Sequence, residues 1–101
     1  MTTKEFITRF DNKEQFDEYE LSELFHGDLD DYKDIELVNK EEGEHHRWNF
    51  EAYNIYKIQG RYFQFYAFIA LTEMQENYYD VQPVEVRPVE KVITVTEWEA
   101  I

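Results

Sequence analysis

The chain has 101 residues, enough for one domain, with 23 Asp and Glu against 10 Lys and Arg and a formal net charge of −13. It has no cysteine, which excludes disulfides and thiolate zinc sites, and no apolar run approaches the ~20 residues that cross a bilayer. Acidity on this scale disfavours direct nucleic-acid binding, which needs clustered Lys and Arg on phosphates, and favours a basic partner.

The charge is uneven. From Asp11 to Glu44 there are fourteen acids against Lys13, Lys33 and Lys40, a balance of −11, so most of the net charge sits in one third of the chain. Such charge with little apolar surface would give a disordered chain. Nine aromatics between Trp48 and Phe68 argue instead for an ordered domain with an acidic shell. The first ten residues, MTTKEFITRF, lack the basic and apolar regions of a signal peptide, so a cytoplasmic location is expected.

Thr2 with Glu5, and Asp11 with Glu14, have the spacing of a helix-capping box. This predicts a short helix over Lys4–Phe10 and a second from Asn12 towards Phe25, ended by Gly27 in a left-handed stop. Asp17 and Glu20 intrude on the apolar face of Phe16, Leu21, Leu24 and Phe25, and a break near Tyr19–Leu21 would resolve the conflict. From Ile35 the pattern becomes that of strands. IELVNK alternates weakly and Gly43 marks a turn. The next strand puts Trp48, Phe50, Ala52, Tyr56 and Ile58 on one face.

Gln59-Gly60 is a turn of hairpin length, which predicts that Tyr56–Ile58 pairs antiparallel with Arg61–Phe63. In the following strand Phe63, Phe65, Ala67, Ile69 and Leu71 share one face and Tyr62, Tyr66, Phe68 and Ala70 the other, so it should be central and covered on both sides. A polar connection with one helical turn capped by Thr72 is expected next. Pro83 and Pro88 bracket an edge strand, VEVR, and KVITVTEW should close the chain as a further strand. The expected fold class is α+β: one domain, with residues 1–34 an acidic helical segment and residues 35–101 an antiparallel meander of four or five strands.

Asp28, Asp30, Asp31 and Asp34 suggest a calcium loop, but the sixth position counted from Asp28 is Lys33 and the twelfth is Asn39, where an EF-hand has Gly and Glu. His45 and His46 are adjacent, so on a strand they point to opposite faces and would not readily share a metal; polar turn histidines are the better reading. Ser22 is the only serine and no nucleophile elbow surrounds it; there is no P-loop and no dinucleotide fingerprint. No catalytic residue, metal site or cofactor is therefore expected. The candidate partner-binding residues are Asp28, Asp30, Asp31, Asp34, Glu41, Glu42 and Glu44. Tyr53, Tyr78, Tyr79 and Trp98 are aromatics whose burial the pattern leaves open.

HRW at His46–Trp48, YKIQGRYFQF at Tyr56–Phe65, and the run LTEMQENYYDVQPVEVRPVEKVITVTEW from Leu71 to Trp98 carry a resemblance. This stretch is similar to a group of small acidic proteins encoded by phages, prophages and mobile elements of Gram-positive bacteria. Its most specific parts are LTE-x-QEN, QP-x-EV and VTEW; the acidic N-terminal third lies outside it. The resemblance implies an anti-defence setting inside a bacterial host, of the type II anti-CRISPR class. The expected function is stoichiometric inhibition of a basic host nucleic-acid-binding protein, such as a Cas9-type nuclease or its guide complex, through a nucleic-acid-mimicking acidic surface. The competing expectation is a small structural or regulatory phage protein whose acidity serves solubility only.

Overall fold

Helix α1 spans Thr3–Asp11 and begins where the capping spacing places it: the Thr2 hydroxyl accepts a hydrogen bond from the Glu5 amide at 3.1 Å. The structure, a computed structural model, describes residues 1–72, 75–89 and 98–100. α1 buries Phe6 completely. Its ring meets Phe63 edge-on at 4.8 Å and stacks on Phe16 at 5.5 Å, while Phe10 meets Phe63 at 4.9 Å. Each such ring, fully buried, contributes about 1.5–3 kcal/mol.

Helix α2 is shorter than expected, Glu18–His26 rather than Asn12–Phe25. The capping box that operates is Asp17 with Glu20, reciprocal at 2.8 and 3.2 Å. Asp11 ends α1 instead of starting α2, and Lys13 turns the chain with φ 58°. Phe16 thus precedes the helix and fills the core. Its backbone N–H and C=O are both taken by the Gln82 side chain at 3.0 Å, which anchors the linker to the far end of the chain. At the other end, Gly27 adopts φ 70° and its amide and that of Asp28 close back on Leu24 and Glu23 carbonyls, the expected left-handed stop. The Phe25 carbonyl, left open by the helix end, accepts from Asn54 Nδ2 at 3.0 Å and the Tyr56 hydroxyl at 2.9 Å.

A 3-10 turn, Tyr32–Asp34, leads into a four-stranded antiparallel sheet in the order β1-β2-β3-β4, with β1 Ile35–His45, β2 Asn49–Ile58, β3 Arg61–Ala70 and β4 Val84–Val86. The architecture is α+β. β2 and β3 pair without a register shift, Tyr56 opposite Phe63 and Ile58 opposite Arg61, around the Gln59-Gly60 turn, where both residues have positive φ (53° and 75°). That is the backbone of a type I′ hairpin turn, whose twist matches the strands it joins.

Gly43 does not turn the chain. β1 runs through it to His45, and a Cβ there would lie 2.9 Å from Tyr53 Cε2 and 3.0 Å from Glu51 Oε2, so glycine is used for close strand approach. The helices cover the face bearing Ala52, Tyr56, Ile58, Phe63, Phe65 and Ala67, which with Phe6, Phe16, Leu21, Leu24, Phe25 and Leu29 form the core. The opposite face of β3, with Tyr62, Tyr66, Phe68 and Ala70, is only half-buried, not covered as expected; it is an aromatic surface on which Tyr66 meets Tyr53 and Phe68 edge-on. β4 is the short strand between the prolines. The expected helical turn after Thr72 falls partly on residues 73–74, and the expected last strand on residues 91–97, outside the described residues.

Candidate interaction surface

The seven acids singled out in the sequence divide into three groups. Asp30 and Asp31 hold the N-terminal segment. Asp31 accepts from the Thr3 amide at 2.8 Å and from the Thr3 hydroxyl at 2.5 Å, and these bonds, the hydroxyl first, hold its carboxyl below the usual range. Thr3 is wholly buried, and its hydroxyl oxygen also accepts from Gln59 Nε2 at 2.8 Å. Asp30 lies 3.2 Å from the Met1 amine, and its amide donates to the Met1 carbonyl. Asp28 and Asp34 are exposed on either side of this pair.

Glu41 and Glu42 lie on β1, where they point to opposite faces. Glu41 pairs with Tyr53 on the open aromatic face, and Glu42 pairs with Ala52 on the helix side, beyond the helices, where it contacts His45 at 3.4 Å. With Glu36, opposite Lys57, and Glu44 they line an eleven-residue strand whose outer edge has no strand partner among the described residues. Asp34, Glu36, Glu41, Glu42 and Glu44 spread over ~33 Å of strand. A DNA duplex would carry about 19 charges over that length, so the edge has about a quarter of duplex charge density and matches a basic groove only sparsely. Leu37 and Val38 are exposed among these acids, with Val38 the extra residue of a bulge between Leu37 and Asn39.

Glu44 belongs to a third group, whose members are scattered in the sequence. β1 ends, a short turn carries His46, and β2 returns with Glu51, so that ligand atoms of Glu44, His46 and Glu51 lie within 4.8 Å of one another. Glu51 is held from two sides: Oε1 accepts from the Tyr66 hydroxyl at 2.8 Å and Oε2 from the Glu44 amide at 3.1 Å. These bonds, Tyr66 first, keep its carboxyl below the usual range, and burial with the Glu51 charge raises the Tyr66 phenol well above its own. His45 points the other way and stacks on Phe50 at 5.1 Å, as the alternation of adjacent residues requires. His26 is elsewhere, bonded to the Tyr79 hydroxyl at 2.9 Å. The signal that could have revealed this cluster is Glu51, a carboxylate on the strand face that lies against Tyr66 and Phe68 of β3.

Other acids of the N-terminal third are engaged inside the fold. Glu20 pairs with Arg9 between the helices, and Asp11 shares Arg61 with Glu85, at 2.8 Å each, joining α1 to β3 and β4. Of the aromatics left open, Tyr79 is buried, Tyr53 half-buried, and Tyr78 and Trp98 exposed. Ser22 lines a shallow groove with Asp17, Glu18, Tyr19, Asn77 and Tyr79, a set without a histidine base. A second groove, of about 420 Å³ on the open face, is lined by Val38, Ile55, Tyr62, Gln64, Val86 and Pro88 among others and has no acid–base pair. No helix among the described residues is long and apolar enough to cross a membrane. No family model matches the chain, and neither a curated protein nor a solved structure does.

Proposed function

We propose that the chain is a stoichiometric, non-enzymatic inhibitor that binds a basic, nucleic-acid-binding host protein, with a Cas9-type effector the first candidate target. The observation that carries this reading is the outer edge of β1: a long strand without a strand partner among the described residues, bearing Glu36, Glu41, Glu42 and Glu44 and preceded by Asp34. Such an edge offers backbone N–H and C=O groups to an added strand. Its carboxylates attract Lys and Arg at long range and speed encounter. The sparse charge favours a basic rim over imitation of a whole duplex. The phage setting comes from the sequence resemblance alone.

The number of acids engaged internally, Asp11, Glu20 and Asp31 among them, favours a second reading. In it, the acidity serves the fold and solubility, and the chain is a structural or regulatory binding protein. Titration of a purified Cas9-type nuclease and its guide separates the two. The inhibitor reading expects cleavage to fall to zero near one chain per effector, and the joint change Asp34→Asn, Glu36→Gln, Glu41→Gln, Glu42→Gln to weaken inhibition, most at low salt. Inhibition at strongly substoichiometric dose would point to catalysis. No inhibition, with capture of a virion or regulatory protein from phage-infected host cells, would establish the second reading.

A further inference from the structure

We propose that Glu44, His46 and Glu51 form a binding site for a transition-metal dication of the Zn2+ class at the turn end of the β1–β2 hairpin. The inference is independent of the partner proposed above. One imidazole nitrogen with two carboxylate oxygens is a donor set that suits Zn2+, Mn2+ or Co2+; Ca2+ and Mg2+ favour oxygen alone.

The three groups come from different local structures, the end of a strand, a turn and the start of the next strand, and their ligand atoms converge within 4.8 Å. Ligands ~2.0–2.2 Å from a shared ion lie ~3–3.5 Å apart. The His46 Nε2–Glu51 Oε1 separation is 3.8 Å, so small rotations of the exposed Glu44 and His46 side chains would close the set.

Glu51 need not move. The Tyr66 hydroxyl and the Glu44 amide each hold one of its oxygens, the kind of outer hydrogen bonding that orients a ligating carboxylate. Gly43 is part of the arrangement, since a side chain there would push β1 away from Glu51 and remove the Glu44 amide from its reach. The contact between His46 and Glu51 accounts for two of the groups. It leaves the Glu44 carboxylate beside a second carboxylate on a protein of net charge −13, and a dication neutralises both. Three protein ligands leave coordination positions open towards solvent.

The test uses the full chain stripped of metal by chelation. Isothermal titration with zinc chloride should show one saturable site per chain. Tyr66→Phe, which removes only the outer hydrogen bond, should weaken it by about 10-fold, and His46→Gln and Glu51→Gln, which remove ligands, should each weaken it by more than that. His45→Gln and the pair Asp28→Asn, Asp34→Asn should leave it within about twofold, since they lie outside the ligand set. On the unmodified protein, the His46 ring resonances should move at substoichiometric zinc before those of His26 and His45. The proposal is overturned if binding is not saturable at one ion, if His45→Gln costs as much as His46→Gln, or if the aspartate pair costs as much as either, which would mean counter-ion condensation only.

Discussion

Thr3 shows how one small polar side chain can set the roles of its neighbours. Its hydroxyl lies in the core, where an unsatisfied polar group would be costly, and it is satisfied twice, donating to Asp31 and accepting from Gln59. Thr3→Val keeps the shape and strands both partners, so it should cost about 1–3 kcal/mol in denaturant unfolding. Asp31→Asn should fall in the same range, whereas Asp28→Asn, on an exposed carboxylate, should stay within ~0.5 kcal/mol. A joint change of all four aspartates would therefore perturb the fold as well as the surface. Asp31 also has a pH signature. Its carboxyl is lowered in the fold from the ordinary 3.8, so its contribution is fully present above that value and is lost as pH falls through the lowered folded value. Melting curves from pH 6 to pH 2 should show a smaller acid loss of stability for Asp31→Asn than for the unaltered chain.

At the scale of elements, the glycines divide the legible from the illegible. Gly27 ends α2 in a conformation that L side chains avoid, and a Cβ there would lie 3.1 Å from Tyr56 Cε1. Gly27→Ala should cost at least the ~1–2 kcal/mol of a left-handed residue, measured as a lower midpoint in urea with unchanged slope. That stop was legible because it is local, as were the Thr2 cap and the Gln59-Gly60 hairpin. The start of α2 was not. Asp11–Glu14 and Asp17–Glu20 offer the same capping spacing, and the choice is made by Phe16 stacking on Phe6 and by Gln82, 66 residues away, gripping the Phe16 backbone. Gly43 looked like a turn because its real requirement, room for Tyr53 and Glu51 on the next strand, is not written in its neighbours. The surface followed the same rule: the exposure of Asp28 and Asp34 could be expected from the loop, but the engagement of Asp31 depends on Thr3, and the metal-ligand set depends on a hairpin register.

For the whole molecule, charge acts in two opposed ways. Local pairs such as Asp11–Arg61–Glu85 tie elements together, while the sum of −13 repels itself. Raising salt from ~20 mM to ~0.5 M shortens the screening length from ~20 Å to ~4 Å. That should weaken long-range repulsion more than contacts at hydrogen-bond distance, so Tm at neutral pH should rise, by about 4–8 °C for each 1 kcal/mol of repulsion removed. A fall in Tm with salt would show that the pairs dominate. The Asp31–Thr3–Gln59 node has a consequence in time as well as in energy. Its partners lie 28 and 56 residues from Thr3, so closing it requires long-range contacts, among them Gln59 in the turn of the β2–β3 hairpin, and it is expected to close after that local hairpin. The first helix is then expected to be fastened after the hairpin and to loosen before it. In native-state hydrogen exchange its amides should open ahead of those of the two central strands, so that the chain's beginning behaves as a latch on a sheet already built.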